Sequence, residues 1–143
     1  FGEKETTMKE LSVEAKVENL NTIISFIESQ LELHDFPTRA IKQIDVAAEE
    51  IFVNIASYAY TDGTGKATVQ VEIKENPLSA LITFIDNGME YNPLEKEDPD
   101  ITLSAEDREI GGLGIYMVKK NMDDVSYEYK DGQNILSIKK KIK

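Results

Sequence analysis

Glu50 and Asn54 stand four residues apart in the segment AAEEIFVNIASYAY, residues 47–60. On a helix that spacing puts a carboxylate and a carboxamide on one face, one turn apart. Glu49 points well away from Asn54 and is the poorer partner. Ile51 and Val53 flank the pair and imply partial burial, which is costly for a carboxylate without a partner or a task. A carboxamide oxygen can ligate Mg2+, a hard cation that takes a few protein oxygens together with phosphate oxygens. The carboxylate beside it can accept a proton from an attacking hydroxyl or water. A plain surface Glu–Asn pair on the helix margin is the competing reading.

Two further segments carry chemistry. In Ile85-Asp86-Asn87-Gly88 an acid follows an apolar run, where its carboxyl can accept a hydrogen bond from a base amino group. Gly88 would let the backbone approach a flat ligand closely. The same letters also spell an ordinary Asp-Asn-Gly turn. In Glu109-Ile110-Gly111-Gly112-Leu113-Gly114 the glycines open a helix, whose free N–H groups and dipole suit phosphate oxygens. A hinge followed by close helix packing is the alternative. The spacing is neither G-x-G-x-x-G nor G-x-x-x-x-G-K-[ST], which disfavours a dinucleotide fold and a P-loop.

The elements that must position these residues are legible from periodicity. Residues 8–16 alternate as a strand, with Leu11, Val13 and Ala15 on one face. Leu20, Ile23, Ile24, Ile27 and Leu31 recur at helical spacing after Asn19 or Asn21, either of which can cap. His34-Asp35-Phe36-Pro37 ends that helix, with His34 an exposed turn residue. A second helix is predicted over 38–60, with Ile41, Ile44, Ala48, Ile51, Phe52 and Ile55 as its core stripe.

Residues 66–74 alternate as a strand, and 78–85, apolar on both faces, read as a central one. Residues 94–110 are acidic and aperiodic, the pattern of a functional lid. A helix over 113–122 and a hairpin of 125–130 and 134–142 across Asp131-Gly132 complete the chain. The expected fold is α+β, a two-layer sandwich with a mixed, mostly antiparallel sheet covered on one face by helices. One domain is expected over 8–143, with Met8 as a natural start and 1–7 a disordered or cloning-derived N-terminus.

In order and spacing, the three segments resemble the N, G1 and G2 boxes of the GHKL (Bergerat-fold) ATPases. In detail they resemble the bacterial anti-sigma factor serine/threonine kinases. The N-box pattern A-x-x-E-x-x-x-N-x-x-x-H-[GA]-Y is met by Ala47, Glu50, Asn54, Ala59 and Tyr60. The pattern D-x-G-x-x-[FY]-[DN]-P is met by Asp86, Gly88, Tyr91, Asn92 and Pro93, and the glycine-rich pattern ending in M-D from Gly111 to Asp123. The resemblance covers nearly the whole chain from Met8.

That resemblance implies ATP and Mg2+ in a pocket under a lid. It also implies phosphorylation of a serine or threonine on an anti-anti-sigma protein, sequestration of a sigma factor, and a homodimer. Glu50 would be the catalytic base and Asn54 the Mg2+ ligand. Asp86 would hold the adenine amino group, and Gly88 would make room for the ring. Gly112 and Gly114 would meet the phosphates, Gly111 would be a hinge, and Arg108 would steady phosphate charge. Tyr58 stands where these kinases carry His. The alternative is therefore a nucleotide-gated binding module of the same fold without appreciable phosphoryl transfer.

Composition agrees with a single folded domain: 143 residues, 41% hydrophobic and 30% charged. Net charge of −11 argues against a nucleic-acid partner. No apolar run approaches the ~20 residues of a membrane span, and no basic leader precedes an apolar stretch, so a cytoplasmic location is expected. The absence of cysteine excludes disulfides and thiolate metal sites. Met89, Met117 and Met122 read as core gap-fillers, Tyr127 and Tyr129 as half-buried strand residues, and Lys139-Lys140-Lys141 as a solvated sheet edge.

Overall fold

The computed structural model describes residues 6–61, 65–95 and 112–142. Chain order is β1 (Thr6–Glu14), α1 (Leu20–Leu33), α2 (Thr38–Tyr58), β2 (Lys66–Lys74), β3 (Ser79–Asp86), α3 (Gly112–Asn121), β4 (Asp124–Lys130) and β5 (Gln133–Lys141). The five strands form one sheet in the order β1-β2-β3-β5-β4. Every pairing is antiparallel, where a partly mixed sheet was expected. The central strand is β3, as its apolar run implied.

Alternation in β2 decides which face is covered. Ala67, Val69, Val71 and Ile73 are buried, while Thr68, Gln70 and Glu72 point the other way and stay partly open. Register carries the buried face across the sheet, from Val71 to Ile82 and on to Ile138. The helices pack on that face. Ile23, Ile27 and Leu31 of α1 and Ile44, Ile51 and Phe52 of α2 meet the strands in one core. Each such side chain contributes about 1.5–3 kcal/mol when fully buried. On the opposite face, Ser12 bonds Thr68 and Thr83 bonds Ser137.

Turn chemistry fixes the ends of the elements. After α1, Asp35 takes φ of 62°. Phe36 N–H then bonds Leu31 O, and Asp35 N–H bonds Glu32 O. That is a Schellman stop, sealed by contact between two buried apolar residues, Leu31 and Phe36. Asp131 and Gly132 both have positive φ, 55° and 77°, which makes the β4–β5 connection a tight two-residue hairpin turn. Asn19 precedes α1 but makes no capping bond; its Nδ2 donates to Glu14 O and ties the helix entry to β1.

Several expectations need correction. β1 begins at Thr6, two residues ahead of Met8. α2 ends at Tyr58, two residues early. Lys139, Lys140 and Lys141 are not on a sheet edge, because β5 is inserted between β3 and β4; Lys140 Nζ donates to Asn121 O at the end of α3. His34 is mostly covered, its Nδ1 hydrogen-bonded to Glu75 Oε2 at 3.1 Å and its Nε2 buried. Met122 fills the core, but Met89 and Met117 are exposed. Tyr129 is also exposed, while Tyr127 is half-buried.

Candidate functional site

The apolar stripe of α2 faces the sheet, so residues at its margin overlook the ends of β3 and β5. Asn54 and Asp86 line one cavity that opens to solvent. Its walls are mainly apolar: Ile51 and Ile55 from α2, Phe84 from β3, Ile115 from α3 and Leu136 from β5. Exposed Met89, Tyr91 and Tyr58 stand at its margin. A flat heteroaromatic ring suits such a slot, which combines apolar walls with a few convergent polar groups.

Asp86 ends the central strand and is 5% exposed. Two donors reach its Oδ1: the Gly88 N–H at 2.8 Å and Asn134 Nδ2 at 2.9 Å. The loop beyond it is pinned to the end of α2. Met89 N–H donates to Ala59 O, and Asn87 N–H donates to the Tyr60 hydroxyl. Tyr60 in turn donates to Lys66 O at 2.6 Å. This explains the early end of α2: Ala59 and Tyr60 are used to hold the loop instead of extending the helix. Burial pushes the Tyr60 hydroxyl above its ordinary range, with the nearby Asp86 charge adding to it.

The fold itself demands glycine at position 88. A Cβ there would lie 2.2 Å from Ala59 O. Glycine is required there because the loop crosses the backbone at the end of α2 closely.

At the other end of the site, Asn54 Nδ2 donates to Glu50 Oε2 at 3.3 Å across one helical turn. The Glu50 carboxylate lies against α3, where a Cβ on Gly114 would come within 2.3 Å of its Oε1. Gly114 is thus the residue that admits Glu50. Glu50, Glu49 and Gly114 share a shallow groove with Val46, Val53 and Met117, separate from the cavity that holds Asp86. α3 runs from Gly112 to Asn121, one residue earlier at each end than expected. Gly111, Arg108 and the acidic lid from residue 96 to 110 lie outside the described residues. Asn54 links the two parts: it lines the cavity with Asp86 and bonds Glu50, which lies against Gly114.

Sequence reasoning missed two residues. Asn134 is buried at 7% exposure, directly opposite Asp86 in the β3–β5 register. Its Nδ2 donates to Asp86 Oδ1 and Met89 O, and its Oδ1 accepts from Tyr91 N–H and the Tyr127 hydroxyl. Burial raises the Tyr127 hydroxyl as well, which keeps it a donor. An Asn directly after a turn and one strand residue gives no local signal of such a role. Only the strand order does.

The donor set fits a nucleotide with Mg2+. Among the described residues no group of three His, Cys, Asp or Glu side chains is placed to hold a metal. Asn54 Oδ1 is a single neutral oxygen, which suits Mg2+ that keeps phosphate and water oxygens. No described helix is long and apolar enough to cross a membrane.

Comparison with known proteins agrees with this geometry. The family model described as a histidine kinase-like ATPase domain matches residues 13–140. The serine-protein kinase RsbW of Bacillus thuringiensis is 27% identical over 134 residues, covering 91% of this chain and 82% of that protein. The serine/threonine-protein kinase BtrW of Bordetella bronchiseptica is 28% identical over 95 residues, covering 66% of each. The crystal structure of the RsbU and RsbW domains of Rv1364c from Mycobacterium tuberculosis superposes with a TM-score of 0.67 at 14% identity, over 94% of this chain and 32% of that one. Thus the chain spans just under two thirds of BtrW and about a third of the mycobacterial protein. The chain belongs to the histidine kinase-like ATPase domain family, with the GHKL sandwich that its three motif segments implied.

Proposed function

We propose that this domain binds ATP with Mg2+ and transfers phosphate to a serine or threonine of an anti-anti-sigma protein, and that it sequesters a sigma factor. One observation carries the reading. Asn54 and Asp86 line the same apolar cavity, and Asn54 holds Glu50 beside Gly114. The names of RsbW and BtrW, both protein kinases, support it.

When bound, Mg2+ and ATP would supply charge neutralisation and the phosphoryl group. The chain's own residues do the rest. Asp86 accepts the amino group of the base, and the apolar walls hold the ring and exclude water. Asn54 presents its Oδ1 toward the metal while its Nδ2 steadies Glu50. Glu50 takes the proton of the acceptor hydroxyl. Gly112 and Gly114, at the start of α3, offer backbone N–H groups to phosphate. Gly111 serves as hinge, and Arg108 steadies phosphate charge. The protein works in the cytoplasm, and a second copy pairs at the exposed edge of β1, the first strand of the sheet.

A second reading rests on Tyr58, which is 64% exposed on the rim of the cavity at the position of the family's His. It makes the domain a nucleotide-gated binding module with negligible transfer. Incubation with labelled Mg-ATP and candidate anti-anti-sigma proteins separates the two. Label on a Ser or Thr of the partner establishes the kinase. Nucleotide-dependent binding without label establishes the module.

A further inference from the structure

Asn134 stands apart from the three motif segments. It reaches five protein groups in the site. Its Oδ1 accepts from the Tyr91 N–H at 3.1 Å, a donor that cannot reverse its role, and from the Tyr127 hydroxyl. Its Nδ2 faces acceptors only: Asp86 Oδ1 and Met89 O at 2.9 Å each, and Gly88 O at 3.5 Å. Flipping the amide would set an oxygen against a carboxyl and two carbonyls, and an NH2 against an N–H. The carboxamide therefore has one orientation.

That orientation has a consequence for Asp86. Both described donors fall on Oδ1, one from the loop and one from β5. They hold the carboxyl plane and leave Oδ2 for a ligand in the cavity that Asp86 and Asn134 line together. Both hydrogens of the Asn134 amide are consumed within the protein, so Asn134 itself does not read the base. We propose that Asn134, kept in register by Tyr127, is a positioning residue that sets base selectivity through Asp86. It aims one carboxyl oxygen at an exocyclic amino group and so disfavours a base with hydrogen or a carbonyl oxygen there. This rests on the reading of the cavity as the base site.

The test is the ratio of affinities for Mg-ATP and for Mg-purine riboside triphosphate, which lacks only the amino group. Asn134→Asp keeps the acceptor oxygen and replaces the donor by a second acid facing Asp86. Tyr127→Phe removes only the hydroxyl that fixes the amide. Asp86→Asn is the control for base recognition. In the wild type, ATP binds about 10–100-fold more tightly than the amino-free analogue, the range for one hydrogen bond to a charged group. Asn134→Asp brings the ratio to within about threefold of unity by weakening ATP alone, and Tyr127→Phe lowers it in part. A mere loss of packing would weaken both nucleotides equally. Should Asp86→Asn abolish the preference while Asn134→Asp and Tyr127→Phe both keep it, the positioning role is overturned and the base site stands. If Asn134→Asp does not fold, the Tyr127→Phe ratio decides alone. A wild type without preference, or a preference untouched by Asp86→Asn, overturns the base-site reading and this inference with it.

Discussion

The Tyr60 hydroxyl accepts the Asn87 N–H at 2.9 Å and so fastens the end of α2 to the loop that leaves the central strand. The same hydroxyl donates to Lys66 O at the start of β2, and the ring lies where a side chain on Gly65 would have to go. Tyr60→Phe keeps the ring and deletes both bonds. The Asn87 N–H and Lys66 O then lose their shared partner, at a cost of about 1–3 kcal/mol for such groups when poorly hydrated. We expect a thermal midpoint lowered by several degrees and a several-fold weaker affinity for ATP, because Asp86 adjoins the loosened loop. Differential scanning fluorimetry with and without Mg-ATP measures both. An unchanged midpoint would mean that water replaces the hydroxyl at no cost.

Gly88→Ala tests the close crossing of loop and helix. The added Cβ meets a backbone carbonyl, Ala59 O, which cannot rotate away. Relief requires separating the loop from α2 and breaking the Met89 N–H to Ala59 O bond. A destabilisation on the order of 3 kcal/mol follows, in the range for overpacking combined with a lost buried bond. Gly132→Ala is the useful contrast. Its Cβ meets open space, and only the positive φ of 77° opposes it, at roughly 1 kcal/mol. Urea unfolding of the two variants should rank them in that order, and the reverse order would show that the loop yields freely.

Gly114→Ala separates the two ends of the site. The intruding Cβ here meets the far end of a flexible side chain, the Glu50 carboxylate. Glu50 can swing aside, so folding survives with about 1 kcal/mol lost or less. Its displacement removes the proton acceptor from beside the phosphate end. Phosphoryl transfer is expected to fall by about 10–100-fold, a fraction of the full effect of a general base. ATP affinity set by Asp86 should hold within about threefold. Kinase assays beside equilibrium binding check the split, and a parallel loss of both quantities would place Gly114 in binding instead.

How much of this was legible in the chain depends on the range of the interaction. The alternation of 66–74 gave β2 residue for residue, since its period is set by one buried face. Asp131-Gly132 gave the hairpin, because few residues tolerate two positive φ values in succession. The strand order did not follow. Local pattern shows that β4 and β5 pair, but not which of them also pairs with β3, so Lys139–Lys141 read as an edge and Asn134 went unnoticed. The end of α2 at Tyr58 was hidden for the same reason: tertiary bonds to Met89 and Asn87 compete with the last helical turn. That Asn54 and Asp86 line one cavity was legible only through resemblance, because no local rule brings a helix margin to a strand end.

Asp45 gives a pH dependence that the motif segments do not. It lies on α2 facing Glu28 and Glu32 of α1, and its Oδ1 is buried with no hydrogen-bond partner. Burial first, then the hydrogen bond to Glu28 and the charges of Glu28 and Glu32, push its carboxyl from 3.8 up to about 7. The folded value exceeds the unfolded one, so the folded state binds the proton more tightly. The stability this provides is complete below about pH 3.8 and is lost as pH rises through about 7. Asp45→Asn removes the titration and retains an amide that can donate to Glu28. Its thermal midpoint should exceed wild type by a few degrees at pH 8, about 1 kcal/mol after allowing for partial solvent exposure, with less gain at pH 5. Equal shifts at the two pH values would remove Asp45 as the source.

Glu50→Gln isolates the proton-transfer role. Glutamine keeps the volume beside Gly114 and can still accept from Asn54 Nδ2 at the position of Oε2. What it loses is basicity. A general base contributes about 10^2–10^4 in rate, so phosphorylation of the partner should fall by at least about a hundredfold. Binding of Mg-ATP should stay within about threefold, because neither Asp86 nor Asn54 Oδ1 is altered. Nor should nucleotide-dependent binding of partner proteins be lost, since that needs the pocket and not the transfer. A variant with full kinase activity would assign the base elsewhere, with Glu49, next along α2 and lining the same groove, as the first residue to substitute.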